Sequence, residues 1–340
     1  MDPTGRTRAT RRALITAGGA IAVVLVSNRL RSRQNESPPV GDVNLWRTGV
    51  PMPHAHSETP GAAIDGKIYI AGGFEAETRL DQFDPDSNVW TQLASLPVAV
   101  HHPGVTTLDG KLYLAGGYAA DGHAALDSLW RFDPATGAWE ARAPLPKSKG
   151  AFGLTAAEGA LFAVGGAFEH LGGAASADLL RYDPALDTWE SLAPLPTARE
   201  HLAVASIDGV IHAIGGRANG DESETKGGVN ERFDLATGLW STASPLPVPR
   251  SGLACAETGD SIIVLGGERG KTLFANANRY HLQTDSWDAL PSMPTGRHGT
   301  AAVVLGQELF AIGGSTLAGR VQNTPVVEIL TLSDAPAPES

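Results

Sequence analysis

This chain has little cysteine, little charge and few aromatics. A single thiol, Cys255, stands among 340 residues. One thiol can form no internal disulfide and no thiolate zinc cluster. Only 19 % of residues are Asp, Glu, Lys or Arg, and the 26 cations are outnumbered by 37 anions, giving a net charge of −11. A chain this acidic is a poor nonspecific partner for nucleic acid. Aromatics make up 6 %, and no collagen-like glycine period is present. What the chain does have is 40 glycines, 23 prolines and 42 % hydrophobic residues. Glycine stands well above its usual share of about 7 %. Many turn formers beside a normal apolar fraction point to an all-β protein with a sizeable core. Length alone suggests about two domains.

The glycines are not scattered. Gly-Gly pairs stand at 72–73, 116–117, 165–166, 215–216, 266–267 and 313–314, each after an apolar run such as Lys67–Ala71. Tryptophans at 46, 90, 139, 189, 240 and 287 are 44 to 51 residues apart. Ten residues after each Trp stand His56, Val100, Lys149, Arg199, Arg250 and Arg297, and sixteen residues after each of those the first glycine of a pair. An aromatic precedes five of the tryptophans by seven: Phe83, Phe132, Tyr182, Phe233 and Tyr280. All length variation falls between the glycine pair and that aromatic. A period near 50 with strand-like segments indicates a propeller or an array.

The glycine pair, the Phe/Tyr-Asp-Pro turn (Phe83-Asp84-Pro85, Phe132-Asp133-Pro134, Tyr182-Asp183-Pro184), the spaced Trp and the Leu-Pro or Met-Pro before the next copy resemble the kelch repeat over residues 43–332. The resemblance implies an all-β, six-bladed kelch-type β-propeller with one four-stranded blade per copy. Asp65-Gly66, Asp109-Gly110 and Asp208-Gly209 supply the positive φ of two-residue hairpins between first and second strands. Trp46 precedes every glycine pair, and only one strand, near Val326–Leu332, follows Gly314. The segment near Val43–Arg47 is therefore expected as an N-terminal strand completing the last blade and removing the open edges. The framed tryptophans and their aromatic partners read as blade core. Trp130, outside the frame, packs at a blade interface or reaches the loop face.

In such a blade the variable loop after Gly-Gly shares a face with the approach to the next blade. Recognition usually sits on variable loops of a rigid scaffold. Each approach begins at the residue ten after the Trp, the lead position, a cation or histidine in five copies and Val100 in the other; His101, Glu200 and His298 follow at the second position, and Glu58, His102 and His201 at the third. The candidate ligand-binding residues are His56, His102, Lys149, Arg199, Glu200, His201, Arg250, Arg297 and His298. As a cationic funnel they would suit an anionic small molecule, glycan or protein segment. The competing reading has the lead arginines tying adjacent blades to loop carbonyls. The chain is thus expected to be a binding module. An alternative is proton transfer at a sugar anomeric centre by Glu58 or Glu200 beside His102 or His201. Exported six-kelch sialic-acid mutarotases are similar in blade number, export and cationic mouth. A weaker alternative is a galactose-oxidase-like copper enzyme, which would need a tyrosine cross-linked to cysteine, whereas Cys255 reads as a small core residue. The imidazoles of His101, His102, His201 and His298 suit copper or zinc. Strand alternation, however, turns His101 and His102 to opposite sides. No metal and no cofactor is expected.

Residues 1–33 read as an address. Arg6, Arg8, Arg11 and Arg12 precede the apolar run Ala13–Val26, the layout of a secretory signal. Thr10-Arg11-Arg12-Ala13-Leu14-Ile15 resembles the twin-arginine export motif. Fourteen residues reach roughly 21 Å as a helix, short of a ~30 Å hydrocarbon core. Arg29, Arg31 and Arg33 follow without a clear cleavage site, so the segment is either a signal or a retained anchor. Residues 34–41 read as a linker and 333–340 as a loose tail. The expected location is periplasmic or extracellular, with the membrane touched only through residues 13–26.

Overall fold

The computed structural model describes residues 45–332 apart from 122, 171–172, 219–226 and 320. The leader, the linker and the tail lie outside the described residues. Within them are six four-stranded antiparallel sheets. Blade 1 comprises Gly61–Ile64, Lys67–Ala71, Leu80–Asp84 and Val89–Gln92. Blades 2 to 5 follow with the same order. Blade 6 takes Ala301–Leu305, Glu308–Ile312 and Val327–Thr331, and receives Trp46–Thr48 as its outer strand, with Trp46 opposite Leu330. The expected N-terminal closure is present. The first strands of successive blades neighbour one another around the centre, blade 6 returning to blade 1.

Local chemistry explains the strand ends. Asp65-Gly66, Asp109-Gly110 and Asp208-Gly209 all have positive φ, as a type I′ hairpin demands. The carboxylates of Asp84, Asp133, Asp183 and Asp234 each accept backbone N–H groups two or three residues on, closing the turn between third and outer strands. The core is divided among the six blade interfaces. One apolar cluster, for example, joins Ile68, Ile70 and Phe83 of blade 1 to Val303, Phe310 and Ile329 of blade 6.

The framed tryptophans do more than fill this core. Five of them face their aromatic partners across the third and outer strands, as Phe83 faces Trp90 with ring centroids 5.0 Å apart, the aromatic buried and the indole half-buried; the sixth, Trp46, is buried opposite Leu330. The indole N–H reaches back to the preceding blade. Trp90 donates to Val50 (3.1 Å), Trp139 to Ala94 (3.4 Å), Trp189 to Ala143 (2.9 Å), Trp240 to Ala193 (2.8 Å), Trp287 to Ser244 (2.9 Å) and Trp46 to Pro291 (2.8 Å). Six clasps thus close the rim. The expected core packing is present: Trp46 is buried in one interface cluster, and the other five, partly exposed, pack against the clusters of their own blade boundaries. Trp130 packs against the cluster between blades 1 and 2.

The glycine pairs form a second set of ties. The second glycine of each pair donates to the carbonyl of the next blade's lead residue, as Gly73 does to Val100 (3.0 Å) and Gly314 to His56 (2.9 Å). A Cβ on Gly72 would stand 2.7 Å from that Val100 oxygen, at a φ of +73°. Only glycine fits both conditions.

Candidate ligand-binding mouth

The approach segments build the mouth in three layers. At the lead position the side chains turn inward, into the blades. Arg199 is fully buried and donates to the carbonyls of Gly215, Val229 and Ala213 and to Glu231 (3.0 Å). Arg250 donates to the carbonyls of Gly266 (2.7 Å) and Val248 and to Asn278. Arg297 meets the carbonyls of Gly313 (2.8 Å) and Val326 and the carboxylate of Glu328 (2.8 Å). His56 bonds through Nδ1 to the carbonyl of Gly72 (2.9 Å). The sixteen-residue spacing from the lead residue to the first glycine is thus a hydrogen bond in His56, Arg199, Arg250 and Arg297. Lys149 is equally buried, its Nζ 3.7 Å from Asp178; burial lowers its pKa to about 8. Burial also lowers Arg199 and Arg250 to about 10. These five side chains do not line the central channel, so the cationic funnel is not assembled there: the buried guanidinium groups stitch backbone carbonyls.

At the third position the backbone closes on itself. Glu58, His102, Ala151, His201, Gly252 and Gly299 all lie in the left-handed region, with φ between 53° and 59°. The N–H of each donates to the carbonyl of its counterpart one blade back: Glu58 to Gly299 (2.8 Å), His102 to Glu58 (2.9 Å), Ala151 to His102 (3.1 Å), His201 to Ala151 (2.8 Å), Gly252 to His201 (3.0 Å) and Gly299 to Gly252 (2.9 Å). This necklace of six hydrogen bonds rings the channel, a cavity of about 330 Å³ lined by the first strands of all six blades. Cys255 stands on that wall; its thiol donates to the Val204 carbonyl (3.2 Å), and burial pushes it up to about 12, so it is protonated.

At the second position each residue bridges the residue after a glycine pair: His101 opposite Tyr118, Glu200 opposite Arg217, Ser251 opposite Glu268. Carboxylates, imidazoles and one guanidinium therefore meet over the necklace. Glu200 touches His201 Nδ1 and accepts from Arg217 Nε (2.6 Å). Burial pushes the Glu200 carboxyl up, but His201 and Arg217 outweigh it and hold it at about 2. Glu58 lies 3.4 Å from His102 Nε2 and 3.3 Å from His298 Nε2, and His298 Nδ1 is 3.5 Å from Glu268.

Beside them His101 and His102 face one another, Nδ1 to Nδ1, at 2.7 Å. The alternation argument against this pair fails because His102 is not in extended backbone: its φ of 54° turns its side chain back to the side of His101. His123 and His170, from the variable loops of blades 2 and 3, complete a nest. Burial, then the neighbouring imidazoles, lowers His101 to about 3 and His170 to about 4, and holds His102 well below its ordinary value. Six of the ten histidines thus gather at one mouth. Of the candidates, His102, Glu200, His201 and His298 are brought together; His56, Lys149, Arg199, Arg250 and Arg297 lie apart from them. Arg217 and Glu268 were missed, although a seventeen-residue spacing from Glu200 and Ser251 marks them. Nothing in the repeat frame marks His123 or His170.

Fold and mouth together define a six-bladed propeller that presents a polar cluster on its loop face. The chain belongs to the kelch-repeat family: the family model for the KLHDC2/KLHL20/DRC7 Kelch-repeats domain matches residues 105–314, more than half of the chain, and that for the Kelch motif matches residues 57–97. The solved structure of YjhT is similar, at 18 % identity and a TM-score of 0.74, over 84 % of this chain and 97 % of that one. At this identity the likeness is one of fold. No curated protein matches the chain in sequence.

Proposed function

We propose that this kelch propeller is an extracytoplasmic binding module that seats a polyhydroxylated ligand of the anionic-carbohydrate class at the loop-face mouth. The observation that carries the reading is the necklace, a rigid rim that holds Glu58, His102 and His201 over a channel of about 330 Å³. That volume suits a small molecule or a glycan end better than a folded protein segment. Carboxylates accept from sugar hydroxyls, and imidazole and guanidinium donate to them. Among the described residues, the lead arginines are buried, whereas Arg217, paired with Glu200 and Glu268, keeps 24 % of its side-chain surface exposed and can meet a ligand carboxylate as well. Export rests on the twin-arginine-like leader. Calorimetry with N-acetylneuraminate as probe tests the reading. The full chain should bind it, and Arg217→Ala and Glu58→Gln should each weaken binding about tenfold or more. No binding, or equal binding by both variants, overturns it.

The contact between Glu200 and His201 favours a second reading of the same site. A carboxylate held ionised beside an imidazole can pass a proton at an anomeric centre. Faster anomer exchange of N-acetylneuraminate by NMR, lost in His201→Asn, would establish mutarotation. Exchange at the uncatalysed rate leaves binding alone.

A further inference from the structure

We propose that the histidine nest of His101, His102 and His170 is a binding site for a divalent transition-metal ion of the imidazole-preferring kind, such as zinc. One ring nitrogen from each of the three lies within 4.8 Å of the other two. Tetrahedral zinc, with bonds of about 2.0–2.1 Å, keeps its ligand nitrogens roughly 3.3 Å apart. Small side-chain rotations would part the Nδ1 atoms of His101 and His102, 2.7 Å from one another, and draw His170 in.

Four features point to a cation rather than to ordinary packing. First, His101 and His102 turn their Nδ1 atoms to one another at 2.7 Å, a hydrogen bond in which one ring donates, in a pocket walled by further imidazoles; loss of that one proton presents two lone pairs to an ion. Second, Nδ1 of His170 is buried with no hydrogen-bond partner, and a buried nitrogen left so is costly. Third, Glu58 lies 3.4 Å from Nε2 of His102, so Nδ1 of that ring is the atom turned to the nest. A carboxylate behind a ligating histidine fixes the tautomer and raises its basicity. His123 stands in the same relation to His101, Nδ1 to Nε2 at 2.8 Å. Fourth, Phe74 stacks on His101 with centroids 4.1 Å apart, which holds that ring in place before any ion arrives.

A competing trio, Glu58, His102 and His201, shares His102 with the nest. It would spend Glu58 as a ligand, whereas the nest uses it to orient His102. The inference does not rest on the sugar reading, and its readout is metal alone.

The test is titration of the full chain, free of any polyhistidine tag and stripped of metal, with Co2+ followed by its visible absorption, and with Zn2+ in competition. One Co2+ per chain is expected, displaced by Zn2+. His170→Ala, a loop substitution, should weaken Co2+ binding at least 100-fold, above the 10–100-fold usual for outer-shell partners, and Glu58→Gln about tenfold. His201→Ala should leave it unchanged. Absence of binding by the parent chain, or undiminished binding by a folded His170→Ala, overturns the proposal. Loss in His201→Ala with retention in His170→Ala would place the ion in the competing trio and equally overturn it.

Discussion

At the residue scale, the lead position shows how a cation can serve a fold. Arg297 replaces the hydration of its guanidinium with two carbonyls and the carboxylate of Glu328. Removing it strands a buried charge, which costs about 3–5 kcal/mol. Arg297→Ala should therefore lower the unfolding free energy extracted from urea melts by that amount. Lys149 differs: its Nζ has no hydrogen-bond partner, and burial has lowered its pKa to about 8. The unfolded lysine binds its proton up to about pH 10.4. Between pH 8 and that value the unfolded state carries more protons than the folded one, so this residue makes stability rise with pH. Unfolding curves of Lys149→Met should lack that rise and match or exceed the parent at pH 7. A steeper rise in the variant would contradict the burial argument. On the necklace, a Cβ at Gly299 would stand 2.5 Å from the Glu58 carboxyl at a φ of +56°. Gly299→Ala should cost upwards of about 1 kcal/mol and weaken ligand binding with it. Ala151→Gly, at a φ of 54°, should stay within about 1 kcal/mol of the parent.

At the scale of elements, the N-terminal strand is the closure. It brings Trp46, buried against blade 5 through its bond to Pro291, and it precedes Val50, whose carbonyl receives Trp90 of blade 1. Trp46→Ala should cost about 3–5 kcal/mol. Deleting residues 42–50 removes both clasps and should unfold the ring as a whole, read as one lost transition in calorimetry. Parent-like melting would refute the closure. This architecture was legible in the sequence because the repeat is written six times: hairpin glycines, turn aspartates and framed tryptophans all carry local rules. The site was legible only in part. His102 and Glu200 sit at fixed repeat positions and could be found by counting. The lead arginines were found too, but spacing does not say whether a cation faces a channel or a carbonyl. His101 was set aside by strand alternation, which a left-handed residue at His102 defeats. His123 and His170 come from loops whose lengths obey no frame, and only the closed ring brings them together.

At the scale of the whole molecule, three concentric sets of hydrogen bonds run once around the ring: indole clasps outside, glycine ties between blades, and the necklace at the centre. Each spans a blade boundary, so the mouth is as rigid as the ring is closed. The proposed export belongs to this scale as well. Arg11→Lys with Arg12→Lys should keep the folded protein in the cytosol in a fractionation assay, and undiminished export would rule out the twin-arginine route. Recognition is proposed at the necklace mouth and not on the opposite, short-turn face. A crystal structure of the chain with N-acetylneuraminate decides between the two. The sugar should lie over the necklace, within hydrogen-bond distance of Glu58, Glu200 or Arg217. Sugar bound at the opposite face, or an empty mouth at saturating sugar, would contradict the proposal.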